Sequence, residues 1–309
     1  MKLPQIPSYE ALQEVFPDAL QQLIQRTGGV FLFASLAITL LKENNGGRPQ
    51  ERLQLLLSPR ASRMLPLTEL YFQVLTSAFP VERLRNLPEE HGRLLSLLNI
   101  ISLKRYPLTP HAIASLGNEI RPKKIDTAGL PEGTTETWLS AGDVTGMVNR
   151  LRAVLILREE QDAVRVVPIH ATSGDFLLDD SDSKIRELYH VDRFKGHASL
   201  SSACLAAMSS FDAVTDYLES HHDGVSIEGQ HVRYAAEMWI FHLKHAGPDP
   251  DLRQQLQAFV SSSRLPVYSR IIPWSSDGGK AAPFISLCVV DLQQYLQVSN
   301  IFLLSCMLW

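Results

Sequence analysis

Apolar residues recur at three- and four-residue intervals through most of this 309-residue chain, and the spacing changes convincingly at one place only. Such an interval lines one stripe of an α-helix, so the chain is constrained to bury helix faces against one another. Leu67, Leu70, Tyr71, Val74 and Leu75 form one stripe. Leu94, Leu95, Leu97, Leu98, Ile100 and Ile101 predict a second helix, more deeply buried. The apolar run Val30–Leu41 follows Gly28-Gly29 and is closed by Asn44-Asn45-Gly46-Gly47, residues that tolerate the left-handed backbone of a helix end. Pro107-Leu108-Thr109-Pro110 interrupts the helical pattern, and Thr109 is placed to cap a helix that starts at Pro110.

The exception lies between Ala153 and Val167. Ala153-Val154-Leu155-Ile156-Leu157 and Val164-Arg165-Val166-Val167 are short runs rich in β-branched residues, and the polar turn Arg158–Asp162 between them predicts a hairpin. A helix precedes it, with Val144, Met147, Val148 and Leu151 inward and Asp143 as the expected N-cap. Helices followed by a hairpin describe a winged-helix unit. Upstream, residues 118–142 read as a long surface loop, given Gly129, Pro131, Gly133 and Arg121-Pro122-Lys123-Lys124. Beyond Asp182 helical spacing returns. Leu200, Cys204, Ala207, Met208 and Phe211 mark one helix; Val232, Ala236, Trp239, Ile240 and Leu243 mark the next. Leu252, Leu256, Phe259 and Val260 mark a third, after Pro248-Asp249-Pro250. The fold class expected is mainly α, with helical bundle segments flanking a winged-helix unit that carries one short β-hairpin. Residues 1–62 are read as a helical lid-like segment, 63–185 as the winged-helix-like domain and 186–309 as a helical domain.

Composition narrows the setting but not the chemistry. Lys and Arg number 29 against 33 Asp and Glu, a net charge of −4, so no bulk basic field draws the chain to nucleic acid or anionic lipid. The run Val30–Leu41, broken by Ser35 and Thr39, falls well short of the roughly 20 apolar residues of a spanning helix, and no membrane partner is expected. Cys204, Cys288 and Cys306 do not frame a disulfide-stapled secreted fold, and a cytoplasmic protein is expected.

Catalytic motifs are missing from the sequence. A P-loop needs glycines around the phosphates, a Lys and a hydroxyl residue. At Gly278-Gly279-Lys280-Ala281 the first glycine position is Trp274, and Ala281 replaces the hydroxyl. No Gly-x-Ser-x-Gly and no Cys-x-x-Cys occurs, and the expectation is that the chain is not an enzyme. His221-His222, His231, His242 and His245 lack the glutamate of an H-E-x-x-H helix and read as surface and boundary histidines, with no metal expected. In the winged-helix region Arg150, Arg152, Arg158 and Arg165 are balanced by Asp143, Glu159, Glu160 and Asp162, which leaves no phosphate-binding stripe. A winged-helix nucleic-acid binder and a purely structural helical scaffold stand as the alternative readings.

Several short signatures occur in a characteristic order. They are Gly28-Gly29-Val30-Phe31-Leu32-Phe33-Ala34, Leu70-Tyr71-Phe72-Gln73-Val74-Leu75, Tyr106-Pro107-Leu108-Thr109 and Val148-Asn149-Arg150-Leu151. Val167-Pro168-Ile169-His170-Ala171-Thr172-Ser173-Gly174-Asp175-Phe176-Leu177-Leu178-Asp179 follows, then His197 through Met208, and Tyr234-Ala235-Ala236 with Trp239 and His242-Leu243. Over roughly residues 20–265 this order resembles the region after the nucleotide-binding domain of fungal NACHT-type STAND proteins, relatives of the NOD-like receptors. The chain departs from the family pattern at Ser173, where an aromatic is usual, in the length of loop 118–142, and after about Leu265.

The resemblance implies a signalling switch in which a winged helix clamps a nucleotide-bound core closed. In the wider superfamily the histidine after the winged-helix hairpin contacts the β-phosphate of bound ADP, and the resemblance places His170 there. It makes Asp175, Phe176, Leu177 and Trp239 structural positions. It implies ADP, ATP or GTP for a full-length relative only, and no cofactor in this chain. The expected partner is the nucleotide-binding domain of a STAND protein or a second copy of the chain, with no nucleic acid. Lacking a P-loop, the chain is expected to be a partner-dependent module, a truncated regulator or the product of an incompletely read gene.

Overall fold

The computed structural model describes residues 17–27, 31–42, 49–57, 66–120, 137–160, 163–180, 188–210 and 229–261. Gly28-Gly29, Asn44–Gly47, most of loop 118–142, Asp182, His221-His222, Gly278–Ala281 and the segment after about Leu265 lie outside them, wholly or in large part. The described chain is mainly helical, as the apolar spacing predicts. Its helices are α1 (Ala19–Thr27), α2 (Phe31–Lys42), α3 (Pro49–Leu57), α4 (Pro66–Ala78), α5 (Val81–Asn86), α6 (Pro88–Leu103), α7 (Pro110–Glu119) and α8 (Ala141–Arg150). Strands β1 (Leu155–Glu160) and β2 (Ala163–Pro168) pair in one two-stranded sheet. Then come α9 (Thr172–Leu178), α10 (Arg193–Ser209), α11 (Gln230–His245) and α12 (Pro250–Ser261). No described helix is long and apolar enough to cross a membrane.

Two compact units divide the chain. One comprises Met1–Pro88, Met147–Ile156 and Pro168–His190; the other comprises Glu89–Gly146, Leu157–Val167 and Val191–Trp309. In the first unit α2 packs against α1, α3 and α4, and α9 packs on α4. The stripe predicted on α4 is its buried face: Leu70, Tyr71, Val74 and Leu75 are all buried. Tyr189, fully buried, donates its hydroxyl to the Phe79 carbonyl at 2.7 Å, which satisfies a backbone oxygen just past the end of α4.

In the second unit α10 is the central helix, packed against α11, α12 and α7. Its closest approach to α6 is permitted by Gly196. A β-carbon there would overlap the Asn99 amide oxygen and come within 2.6 Å of Leu103 Cδ1. Thr109 does cap α7: its Oγ1 accepts from Ala112 N at 3.2 Å, with Pro110 in the first turn. Gln230, at the start of α11, accepts from Thr109 N at 2.8 Å. Asn118, in the last turn of α7, bonds both backbone groups of Leu139, at 2.8 and 2.9 Å, and so fixes the lead-in to α8.

Two local expectations need correction. Asp143 is not the N-cap of α8. Ser140 is: its Oγ accepts from Asp143 N at 3.0 Å, and the Asp143 carboxylate accepts in return from Ser140 N at 2.9 Å and Ser140 Oγ at 2.6 Å. That reciprocal pair is a capping box, with the acidic residue three positions after the cap. The polar turn is also shorter than expected, because Arg158, Glu159 and Glu160 continue β1. Polar side chains are tolerated there because the strand is solvent-facing, and Arg158 pairs with Glu160 at 3.6 Å. β2 has a further neighbour: Leu108 forms an antiparallel bridge to Val166, whose N–H donates to the Leu108 carbonyl at 2.8 Å. Along the chain the order is α6, bridge strand, α7, α8, hairpin.

Candidate functional site

His170 sits on the exposed turn that follows β2. β2 ends at Pro168, and Ile169 N donates to the Val154 carbonyl at 2.9 Å before the chain turns. The turn is held by the next three residues. Ser173 Oγ donates to the His170 carbonyl at 2.7 Å, and Thr172 N donates to His170 Nδ1 at 3.2 Å. Thr172 Oγ1 lies 2.9 Å from the same Nδ1 and 2.8 Å from the Tyr71 hydroxyl. A ring nitrogen that accepts from a backbone N–H carries no proton of its own, so the neutral imidazole is protonated on Nε2. The turn therefore presents one oriented N–H donor at the surface.

Tyr71 anchors this arrangement from α4. Its ring meets Phe176 at 5.2 Å between centroids. Burial raises the tyrosine pKa; the Thr172 hydrogen bond opposes the shift and the nearby Asp175 carboxylate adds to it. The phenol therefore stays protonated and is available to donate to Thr172. Phe176 and Leu177 are buried and hold α9 in place, while Asp175 is exposed. Ser173 is buried and serves the turn through its hydroxyl. Of the residues singled out in the sequence, His170, Asp175, Phe176 and Leu177 are thus gathered around one turn. Trp239 belongs to the other unit, where it is buried edge-on to Phe259 with centroids 5.7 Å apart.

Sequence reasoning missed a second polar cluster, in the unit built on α10. His242, expected at the surface or boundary, is wholly buried, and His197 is only 5% exposed. Their Nδ1 atoms lie 2.9 Å apart, and His242 Nε2 lies 2.8 Å from the Tyr234 hydroxyl. The Arg105 backbone N–H donates to that phenol oxygen. The buried phenol then satisfies its own proton by donating to His242 Nε2. This fixes the rest of the line: His242 Nδ1–H donates to His197 Nδ1, and the His197 proton sits on Nε2. Burial first, then neighbouring positive groups, lowers the pKa of His197 to about 4 and that of His242 to about 3. Both rings are neutral at neutral pH.

The surroundings of the histidine pair are basic and aromatic. The Arg105 guanidinium lies 4.7 Å from the Phe241 ring centre, the His245 ring 4.4 Å from it, and the His197 ring 5.7 Å. Glu237 is already engaged, accepting from Tyr106 at 2.8 Å and from Arg233 at 2.9 Å. Among the described residues no group of three or more His, Cys, Asp or Glu is arranged to hold a metal ion. Cys204, fully buried, has its thiol pKa raised by desolvation, so it is no ready nucleophile.

The arginines on and around the hairpin largely have partners in the fold. Arg150 donates to the Ala78 carbonyl and lies over the Phe79 ring at 3.8 Å; Arg165 donates to the Pro107 carbonyl at 3.1 Å; Arg158 pairs with Glu160. No protein-family model, curated protein or solved structure matches the chain.

Proposed function

We propose that the chain is a non-catalytic regulatory module of a NACHT/STAND-type switch, with His170 as the residue that senses a nucleotide phosphate held by a separate nucleotide-binding domain. One observation carries the reading: His170 offers an oriented Nε2–H on an exposed turn directly after the two-stranded hairpin. An imidazole N–H donates well to a phosphate oxygen, and the hydrogen bonds to Thr172 and Ser173 hold the donor in place before a ligand arrives. A switch of this kind works through contacts that differ between its two states. In the nucleotide-bound state His170 adds a bond, and loss of the phosphate removes it. The fold supports this reading over nucleic-acid binding, since Arg150, Arg158 and Arg165 are committed to partners within the fold.

The P-loop and its Mg²⁺-binding hydroxyl would come from the partner domain. The test has two arms. Fluorescent ADP mixed with the isolated chain is expected to give no saturable binding, and micromolar binding would sink the division of labour. The in-frame genomic sequence upstream of Met1 is expected to encode Gly-x-x-x-x-Gly-Lys-Ser/Thr, or a partner carrying that motif is expected to co-purify. Failure of both would leave the NACHT/STAND reading without support.

A further inference from the structure

The hydrogen bonds behind His170 run in one direction when every donor is satisfied. Thr172 N donates to His170 Nδ1 at 3.2 Å, so in the neutral ring that nitrogen offers a lone pair. The Thr172 hydroxyl, 2.9 Å from the same atom, donates to it as well. With its proton spent, Thr172 Oγ1 accepts from the Tyr71 hydroxyl at 2.8 Å. The chain runs from Tyr71 to Thr172 to His170, and it leaves the proton of the exposed ring on Nε2.

A reversed chain is the competing arrangement. In it His170 Nδ1–H donates to Thr172 Oγ1, and the Thr172 hydroxyl donates to the Tyr71 oxygen. Two penalties oppose it. Thr172 N–H would then face a protonated nitrogen. The buried Tyr71 phenol would also have its proton turned away from the partner that the fold gives it. A buried donor that loses its acceptor carries its full desolvation cost. The first penalty comes from the turn itself, but the second is delivered by helix packing. Tyr71 stands on α4, its ring 5.2 Å from Phe176 of α9, and α4 packs against both α9 and α2.

We propose that Tyr71 is a positioning residue for His170: from α4 it locks the imidazole as the Nε2–H tautomer and keeps the phosphate donor set before a ligand arrives. This rests on the reading of His170 as the phosphate sensor. Each bond in the chain polarises the next, so the lock also makes Nε2–H a stronger donor than that of a lone imidazole. The sensor is thereby tied to the seating of α4 on α9. If α4 lifts, the ring is free to exchange tautomers and to present a lone pair, which repels a phosphate oxygen.

The experiment uses the full chain labelled with ¹⁵N at histidine. The His170 tautomer ratio is read from its ring-nitrogen shifts at alkaline pH with no nucleotide present, and His170→Ala assigns the signals. The Nε2–H form is expected to dominate in the unsubstituted chain. Tyr71→Phe is expected to lower the ratio of Nε2–H to Nδ1–H by roughly fivefold, the worth of one net hydrogen bond. Tyr71→Phe combined with Thr172→Val should return the ratio. The valine removes the acceptor that the Nδ1–H form needs, while the backbone N–H of residue 172 still donates to Nδ1. A phenol that only braced the turn would behave otherwise, because loosening the turn moves the ratio in both variants or in neither. Three results overturn the proposal: a dominant Nδ1–H form in the unsubstituted chain, an unchanged ratio in Tyr71→Phe, or a fall that persists in the double variant. None of these readings involves a nucleotide. The lock can therefore fail while the ADP and genomic tests of the sensor stand, and the sensor can fail while the lock stands.

Discussion

The guanidinium of Arg150 lies 3.8 Å from the centre of the Phe79 ring and also donates to the neighbouring Ala78 carbonyl. One side chain at the end of α8 therefore satisfies the backbone where α4 stops and covers an aromatic that is wholly buried. Arg150→Ala is expected to lower stability by about 2 kcal/mol, from a lost cation–π contact and an orphaned carbonyl. Arg150→Lys keeps the charge but loses the planar stacking surface, and should recover less than half. Urea midpoints for the three proteins decide it. Equal stability of the arginine and alanine forms would show the contact to be worth nothing.

The approach of α10 to α6 turns on Gly196. A methyl group there meets Asn99 Oδ1 and lies 2.6 Å from Leu103 Cδ1, so one helix has to move. Gly196→Ala is expected to cost about 2 kcal/mol despite the better helix propensity of alanine. Shortening the obstacle with Asn99→Ala in the same chain should restore part of that loss. A thermal-unfolding double-mutant cycle measures the coupling, and additive effects would contradict the packing argument.

Much of this was legible in the sequence, and the limits have physical causes. The faces of α4 and α6 could be read because burial of a helix stripe writes itself as a three-four repeat. Thr109 was readable as a cap because Pro110 fixes where α7 begins. The hairpin was found but drawn too short, since strand residues at an exposed tip need not be apolar and Arg158–Glu160 look like a turn. Ser140 and Asp143 are both good capping residues, and the reciprocal bonds between them settle which is the cap. The histidine line was not legible at all. His197 and His242 are 45 positions apart, and no local pattern says that two helices bring their rings together. Around His170, Tyr71 was read only as core, because a phenol's partner 101 positions away leaves no local trace.

The buried histidine pair makes stability depend on pH with a definite sign. Both rings hold a proton less readily in the folded chain, with values of about 4 and about 3 against an ordinary 6.5. Between those values the unfolded chain binds more protons, so stability rises with pH. Their contribution is fully present above about pH 6.5 and is lost progressively as the pH falls to about 3. Each histidine adds at most about 1.4 kcal/mol per pH unit within its window. Replacing His197 by Gln, which keeps an amide partner for His242, should flatten the slope by up to one proton. Urea unfolding at a series of pH values from acid to neutral measures it, and an unchanged slope would mean that the pair carries no linkage.

His170 and Thr172 separate a sensing role from a structural one. If His170 merely stabilised its turn, His170→Ala would cost as much as other cap-like losses, about 1 kcal/mol. The ring is exposed and Ser173 holds the turn through the residue 170 carbonyl, which alanine retains. His170→Ala is therefore expected to change stability by less than about 0.5 kcal/mol, the usual range of a surface substitution. Thr172→Val behaves differently. It leaves the Tyr71 hydroxyl without its partner in a buried site, and should cost about 1–2 kcal/mol. Tyr71→Phe in the Thr172→Val chain removes the orphaned group and should return most of the loss. Stability measured on the four proteins tests both halves. A large loss in His170→Ala would mark the histidine as part of the fold, and the case for a donor held ready for phosphate would rest on the geometry of the turn alone.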